Sequence, residues 1–313
     1  MADMNWIIEE DMEGVSTQEQ WKGSIYKLPA GIADINKKAY KPQTVSFGPY
    51  HFNHSNPMEK HKHRVLLHFL KRCGKPVELF ADALAEVVED LKDSYNPLEP
   101  VTASHILDDY APTDPIFSKH WKFHVMPFIK RDMLMLENQL PMLVLVKLVT
   151  VETNKAKFCC SCTVPRNMGK CVHVLDMYRK SLLQEDPHQK IVCHRASVNG
   201  NAIIWSATEL QRHPWAIRFK KSKSSSLKDI SFSWGILKLP LMVVDDSTES
   251  MFLNMTAFER FHVGAGNEVT SYIFFMDSII DNHRDVGLLQ SKGIIHNFMG
   301  SDDAVAKLLN SLS

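Results

Sequence analysis

Apolar residues recur three and four apart through most of this chain, the spacing of a helix that buries one face. The clearest stripes are Val77, Phe80, Leu84, Val87, Val88, Leu91 and Tyr95 in VELFADALAEVVEDLKDSY, and Val269, Tyr272, Ile273, Met276, Ile279 and Ile280 in EVTSYIFFMDSIIDNH. MEKHKHRVLLHFLKR, with Val65, Leu66, Phe69 and Leu70, carries the same period, and VHVLDMYRKSLL and DSTESMFLNMTAFERF also read as helices. The period falls to two in two regions. Residues 22–50 read as extended: Val45 and Phe47 flank Ser46 on one face until Gly48-Pro49 ends the run. In DISFSWGILKLPL, Ile230, Phe232 and Trp234 share one parity and Leu237, Leu239 and Leu241 the other, so a turn or bulge falls at Gly235. WAIRF predicts a further strand and KKSKSSSLK an exposed loop. The fold class is therefore α+β, mainly α: a helical body with a small antiparallel β-sheet or hairpin around residues 215–243, which the N-terminal extended segment is placed to join.

The punctuation refines this. In RDMLMLENQLPMLVLVKLV, Pro141 has no N–H to give the preceding turn, so it kinks the helix or begins a new one. Asn138 is placed as an N-cap, with Glu137 and Gln139 near enough to satisfy main-chain groups freed at the break. Ser206 with Glu209, and Asp246 with Glu249, have capping-box spacing, and a helix begins near Ser301 with two acids in its first turn.

Size and charge bound the rest. The chain has 313 residues, 44% of them apolar, with 16 Phe, 15 Met and 6 Trp, enough for a sizeable core. Residues 1–23 carry six acids and one base and read as a flexible tail. Residues 24–313 form the folded region, divisible into lobes 24–150 and 171–313 joined by a Cys-rich loop. Lysine plus arginine equals aspartate plus glutamate at 36 each, so no overall pull toward nucleic acid is expected. The N-terminus lacks a signal peptide's basic and apolar regions, and MLVLVKLV is too short to span a bilayer, so the chain as given reads as soluble and cytoplasmic. Asn53-His54-Ser55 and Asn254-Met255-Thr256 fit the glycosylation acceptor pattern, which matters only in a secretory lumen.

Candidate chemistry is sparse. Cys159, Cys162, Cys171 and His173 could supply four soft ligands to zinc, with Cys193 and His194 nearby, but the spacing matches no standard finger. His61 and His63 project about 200° apart on a helix and make poor co-ligands. There is no Gly-x-Ser-x-Gly elbow, P-loop or dinucleotide fingerprint, so no catalytic residue and no cofactor is assigned. A deep pocket holding His51 beside an acid is the one arrangement that would reopen hydrolysis.

Several stretches, in fixed order, resemble a plant-specific family, domain of unknown function 247. The first is IYKLPAGIADINKKAYKPQTVSFGPYHF, at Ile25, Tyr26, Pro29, Tyr40, Pro42, Val45, Ser46, Gly48, Pro49, Tyr50 and His51, followed by Glu59 and Lys62. LENQLP at Leu136–Pro141 looks like the family's central signature, and SATEL, ISFSWGILKLPL and STESMFLNMTAFE follow in order. The family's Asp-Gly-Cys-Phe tetrapeptide is replaced here by ASHILDDYAPTDPIF. Members usually continue to a C-terminal transmembrane segment, so this chain, stopping at LLNSLS, is expected to be truncated before that anchor. The resemblance implies no catalytic residues. It implies an uncharacterised plant protein related to membrane-anchored members, some tied to grass self-incompatibility. The expected role is non-enzymatic recognition of an unknown protein partner; the alternative is zinc binding through the cluster at 159–194.

Overall fold

Local signals and long-range packing agree over most of the chain. The computed structural model describes residues 23–52, 57–96, 122–154, 169–184, 205–213 and 216–312. They fold mainly as α-helices, with three small sheets of two or three strands. They divide into two compact units. The first takes its described residues from 23–37, 41–154 and 170–176, the second from 38–40, 169 and 177–312.

In the first unit, Ile25–Tyr26 pairs in parallel with Tyr95–Asn96. Among the described residues of 22–50, read as extended, only Ile25–Tyr26 is a strand, and it finds its partner here and not in the sheet near residue 230; Ala30–Ala33 and Lys37–Tyr40 form short helices instead. The helix expected through residues 77–95 forms as two, Val77–Ala85 and Val88–Asp93, broken where Val87 takes φ −122° and ψ 13°. Two adjacent β-branched residues stand at that break, where helix propensity is low. Phe80 is the buried member of the stripe and packs edge-on against Phe69 of helix Pro57–Cys73. Helix Lys122–Met133 is followed by a short 3₁₀ turn at Leu136–Asn138, and helix Met142–Thr153 then starts directly after Pro141. Pro141 therefore begins a helix.

In the second unit, the stripe at Val269–Ile280 is buried throughout, on helix Glu268–Ile279. That helix packs against helix Thr248–Phe261, where Phe252, Met255 and Phe258 are also buried, and against helix Asp302–Asn310, which in turn packs on helix His283–Ser291. Each such side chain contributes about 1.5–3 kcal/mol by leaving water. Asn254 is 1% exposed and donates to Ala39 O at 2.9 Å, so the acceptor pattern at 254–256 is closed to modification in the fold. Asn53 lies outside the described residues.

The hairpin forms as expected. Ser231–Ser233 and Ile236–Leu239 pair antiparallel across Trp234-Gly235. Arg218–Lys221 adds to Ile236–Leu239 in parallel, so the three-stranded sheet is mixed. Met242–Val244 leaves it to pair with Ile295–Asn297. Ser206 and Glu209 cap their helix, with Glu209 accepting from Ser206 N at 3.1 Å. Ser301 caps the last helix, accepting from Ala304 N. The box proposed for Asp246 and Glu249 is shifted by one residue: Asp245 Oδ1 accepts from Ser247 N at 2.9 Å, and Thr248 Oγ1 accepts from Asp245 N at 2.8 Å.

Candidate functional site

The two most motif-like stretches, KPQTVSFGPYHF and RDMLMLENQLP, meet in the first unit. Residues 42–48 run without forming a regular strand, so their N–H groups need other acceptors. Asp132 supplies one. Its Oδ2 accepts from Gln43 N at 3.0 Å, Thr44 N at 2.6 Å and Val45 N at 3.0 Å. Three successive amides converging on one carboxylate oxygen make an anion nest. Oδ1 takes Arg131 Nη2 at 2.8 Å, so a carboxylate with no exposed surface is fully bonded.

Asn138 continues the clamp. Its Oδ1 accepts from Phe47 N at 2.7 Å, and its Nδ2 donates to Val45 O and Asp132 O, both at 2.9 Å. It acts as a short stretch of β-ladder supplied by a side chain, and does not cap a helix as its position suggested. Gln139 donates to Met133 O and Met135 O at 2.7 Å and accepts from Leu175 N at 3.1 Å. Local main-chain groups at the break are satisfied, as expected for this residue, but the glutamine also reaches residue 175. Glu137 Oε1 accepts from Leu28 N at 2.6 Å.

Tyr50 donates to Ile25 O at 3.1 Å and accepts from Asn96 N at 2.8 Å, so one hydroxyl joins the ends of both paired strands. Burial pushes its phenol up to about 12. Tyr95 meets it edge-on and donates to Gln139 O at 3.1 Å; burial raises that phenol too.

His51 lies beside Glu137, with Nε2 3.3 Å from Oε2, both side chains mostly buried. The contact is not aligned as a hydrogen bond, and Nε2 has no bonding partner. The charge of Asp132 favours the imidazolium. Burial, followed by the charge of Lys41, outweighs it and lowers the imidazole to about 4. Burial also raises the Glu137 carboxyl. The pair is a neutral imidazole beside a reluctant acid, not a salt bridge.

His173 caps helix Val174–Leu182. Its Nδ1 accepts from Asp176 N at 3.1 Å, and its Nε2 lies 3.2 Å from Ser24 O, which fixes the tautomer with the proton on Nε2. Both nitrogens being occupied, the zinc geometry would require breaking the cap. Cys171 is a half-buried thiol two residues away. Cys159, Cys162, Cys193 and His194 lie outside the described residues. Among the described residues no group of three or more His, Cys, Asp and Glu is arranged to hold a metal ion. No helix among them is long and apolar enough to cross a membrane.

Two sequence-distant motifs are thus locked together in the first unit. The chain belongs to the plant family described as plant protein of unknown function, domain of unknown function 247, whose model matches residues 25–109 and 98–313. It is 30% identical to UPF0481 protein At3g47200 of Arabidopsis thaliana, over 92% of this chain and 72% of that protein. It is 28% identical to the putative UPF0481 protein At3g02645 of the same plant, over 32% of this chain and 20% of that protein. No solved structure matches.

Proposed function

We propose that this chain is a non-enzymatic recognition module that presents a rigid surface to a protein partner in the plant cytoplasm, related to membrane-anchored family members, some of them implicated in grass self-incompatibility. The observation that supports this reading is the use made of Asp132, Glu137, Asn138, Gln139 and His173. These residues most resemble chemistry, and each bonds the main chain of a distant segment. Such bonding fixes a shape, because buried polar groups that are fully paired specify one arrangement. The test is affinity purification from plant tissue, with partners identified by mass spectrometry. Alanine replacements at exposed Ile35, Val263 and Phe298 should weaken recovery of one reproducible partner while leaving the melting midpoint unchanged. Unchanged recovery for all three would remove the reading. Zinc binding through residues 159–194 predicts close to one equivalent of metal in purified protein, and elemental analysis decides it.

A further inference from the structure

Two features of the small sheet are not what stability alone would choose. Trp234 and Gly235 form the hairpin's two-residue loop, with φ of 51° and 71°. That turn favours Asn, Asp or Gly at its first position, and a bulky side chain there strains the backbone. The indole is 95% exposed, so packing does not offset the strain. Lys220 lies directly opposite Lys238, a like-charge pair that destabilises a sheet. Arg218 is on the same face, and register places all three opposite the buried Phe219, Leu237 and Leu239. Arg218, Lys220 and Lys238 have no carboxylate partner among the described residues. Local choices that each weaken the fold, gathered on one small sheet, mark a surface kept for binding.

We infer that this sheet docks on an anionic phospholipid bilayer, with Trp234 at the turn entering the headgroup region and Arg218, Lys220 and Lys238 on the adjoining face meeting lipid phosphates and carboxylates. Charge complementarity carries the choice of occupant. The whole chain is neutral, so the attraction is local to this face. Indole prefers the membrane–water boundary because its ring is apolar and its N–H polar. The aromatics lie off the cationic face, Phe232 on the opposite parity and Trp234 in the turn, so bases have no stacking platform among the cations, as a single-stranded nucleic-acid site needs. Each cation near an anionic surface strengthens partitioning about fivefold.

The full chain is sedimented with vesicles of phosphatidylcholine alone or mixed with phosphatidylserine, at low and high salt. Binding to the mixed vesicles only, weakened by salt, is expected. Trp234→Asn should lower partitioning about tenfold yet raise the melting midpoint, because Asn suits the turn. Lys238→Glu should lower it more than about tenfold, by the change of two charges, while replacing repulsion with attraction across the strands. Both variants are expected to be at least as stable as the parent, so lost binding cannot reflect lost folding. Absence of wild-type binding, equal binding to neutral vesicles, or variants that bind like wild type would each overturn the inference. So would binding of poly-glutamate or single-stranded RNA without vesicle binding. None of these outcomes bears on recognition of a protein partner in the purification above.

Discussion

Gly48 lies against the main chain of Gln139, so close that a Cβ on Gly48 would sit 2.8 Å from the Gln139 carbonyl oxygen and 3.2 Å from that of Glu137. The backbone angle of Gly48 is ordinary, φ −79°, so the requirement is for space and not for a left-handed conformation. Gly48→Ala must push one motif away from the other and should cost about 1–3 kcal/mol, as overpacking does. Gly31, with nothing within 4 Å of its would-be Cβ and a position in a short helix, is the control. Gly31→Ala should stabilise by about 0.5–1 kcal/mol. Urea unfolding of the two variants checks both signs, and equal effects would show that the contact does not hold the motifs together.

Asp132 is the other half of the same clamp. In Asp132→Asn the side chain keeps its shape but loses its charge and half its acceptors, while Arg131, 8% exposed, keeps its own charge. Three main-chain donors and a guanidinium then compete for one oxygen. A loss of about 3 kcal/mol follows, in the range for removing one partner of a buried pair. Hydrogen exchange should speed up most at Gln43, Thr44 and Val45, and uniform change across the unit would contradict the local role.

This clamp also marks where sequence reading stops. The helices were legible because 3.6-residue periodicity reports burial directly: Val269, Tyr272, Ile273 and Met276 are all buried. The hairpin was legible because its parity switches at Gly235, which has positive φ. The parallel pairings of Arg218–Lys221 and Ile25–Tyr26 were not legible, since periodicity says nothing about which strand lies alongside. Asn138 was read as a cap because capping is the commonest local use of asparagine, and its actual acceptor role spans about ninety residues. Asp132 was missed entirely. An aspartate near a helix end gives no sign that residues 43–45 will close around it. Motif conservation within a family could identify such segments as paired, but only the fold shows that they bond each other.

His51 gives the first unit a measurable pH response. Its imidazole falls from the ordinary 6.5 to about 4 in the fold, so below 6.5 the unfolded chain binds the proton that the native state refuses. Stability is fully present above pH 6.5 and declines as pH falls toward 4, by up to roughly 3 kcal/mol. The raised carboxyl of Glu137 works the other way, favouring the fold as pH drops toward its ordinary 4.5. His51→Phe should flatten the decline between pH 6.5 and 5. Unfolding midpoints across that range check it, and a variant with the parent's slope would place the response elsewhere.

Arg179 in the second unit tests whether a buried charge cluster is structural in the same sense. It is 4% exposed, its Nε bonds Glu259 Oε1 at 2.7 Å, and its Nη2 bonds Glu268 Oε2 at 2.6 Å. Glu259 also accepts from Val269 N at 2.9 Å and from Thr270 N at 2.8 Å, so it ties the start of helix Glu268–Ile279 to helix Thr248–Phe261. Burial alone would raise the Glu268 carboxyl; its own backbone, Arg179 and Lys228 outweigh that and hold it low. Arg179→Met keeps volume and removes the charge, leaving Glu259 as a buried carboxylate with main-chain and hydroxyl donors only. A cost of about 3–5 kcal/mol is expected. Adding Glu259→Gln should recover more than about 1 kcal/mol of it, because the amide oxygen can still accept from Val269 or Thr270 without an unpaired charge. In the single variant Glu268 loses a partner that lowers it. A carboxyl held low stabilises the fold above its unfolded value and loses that as pH falls, so the acid limb of the stability curve should become shallower. A double-mutant cycle in urea reads the coupling. Strict additivity would mean that the two residues are neighbours without being partners.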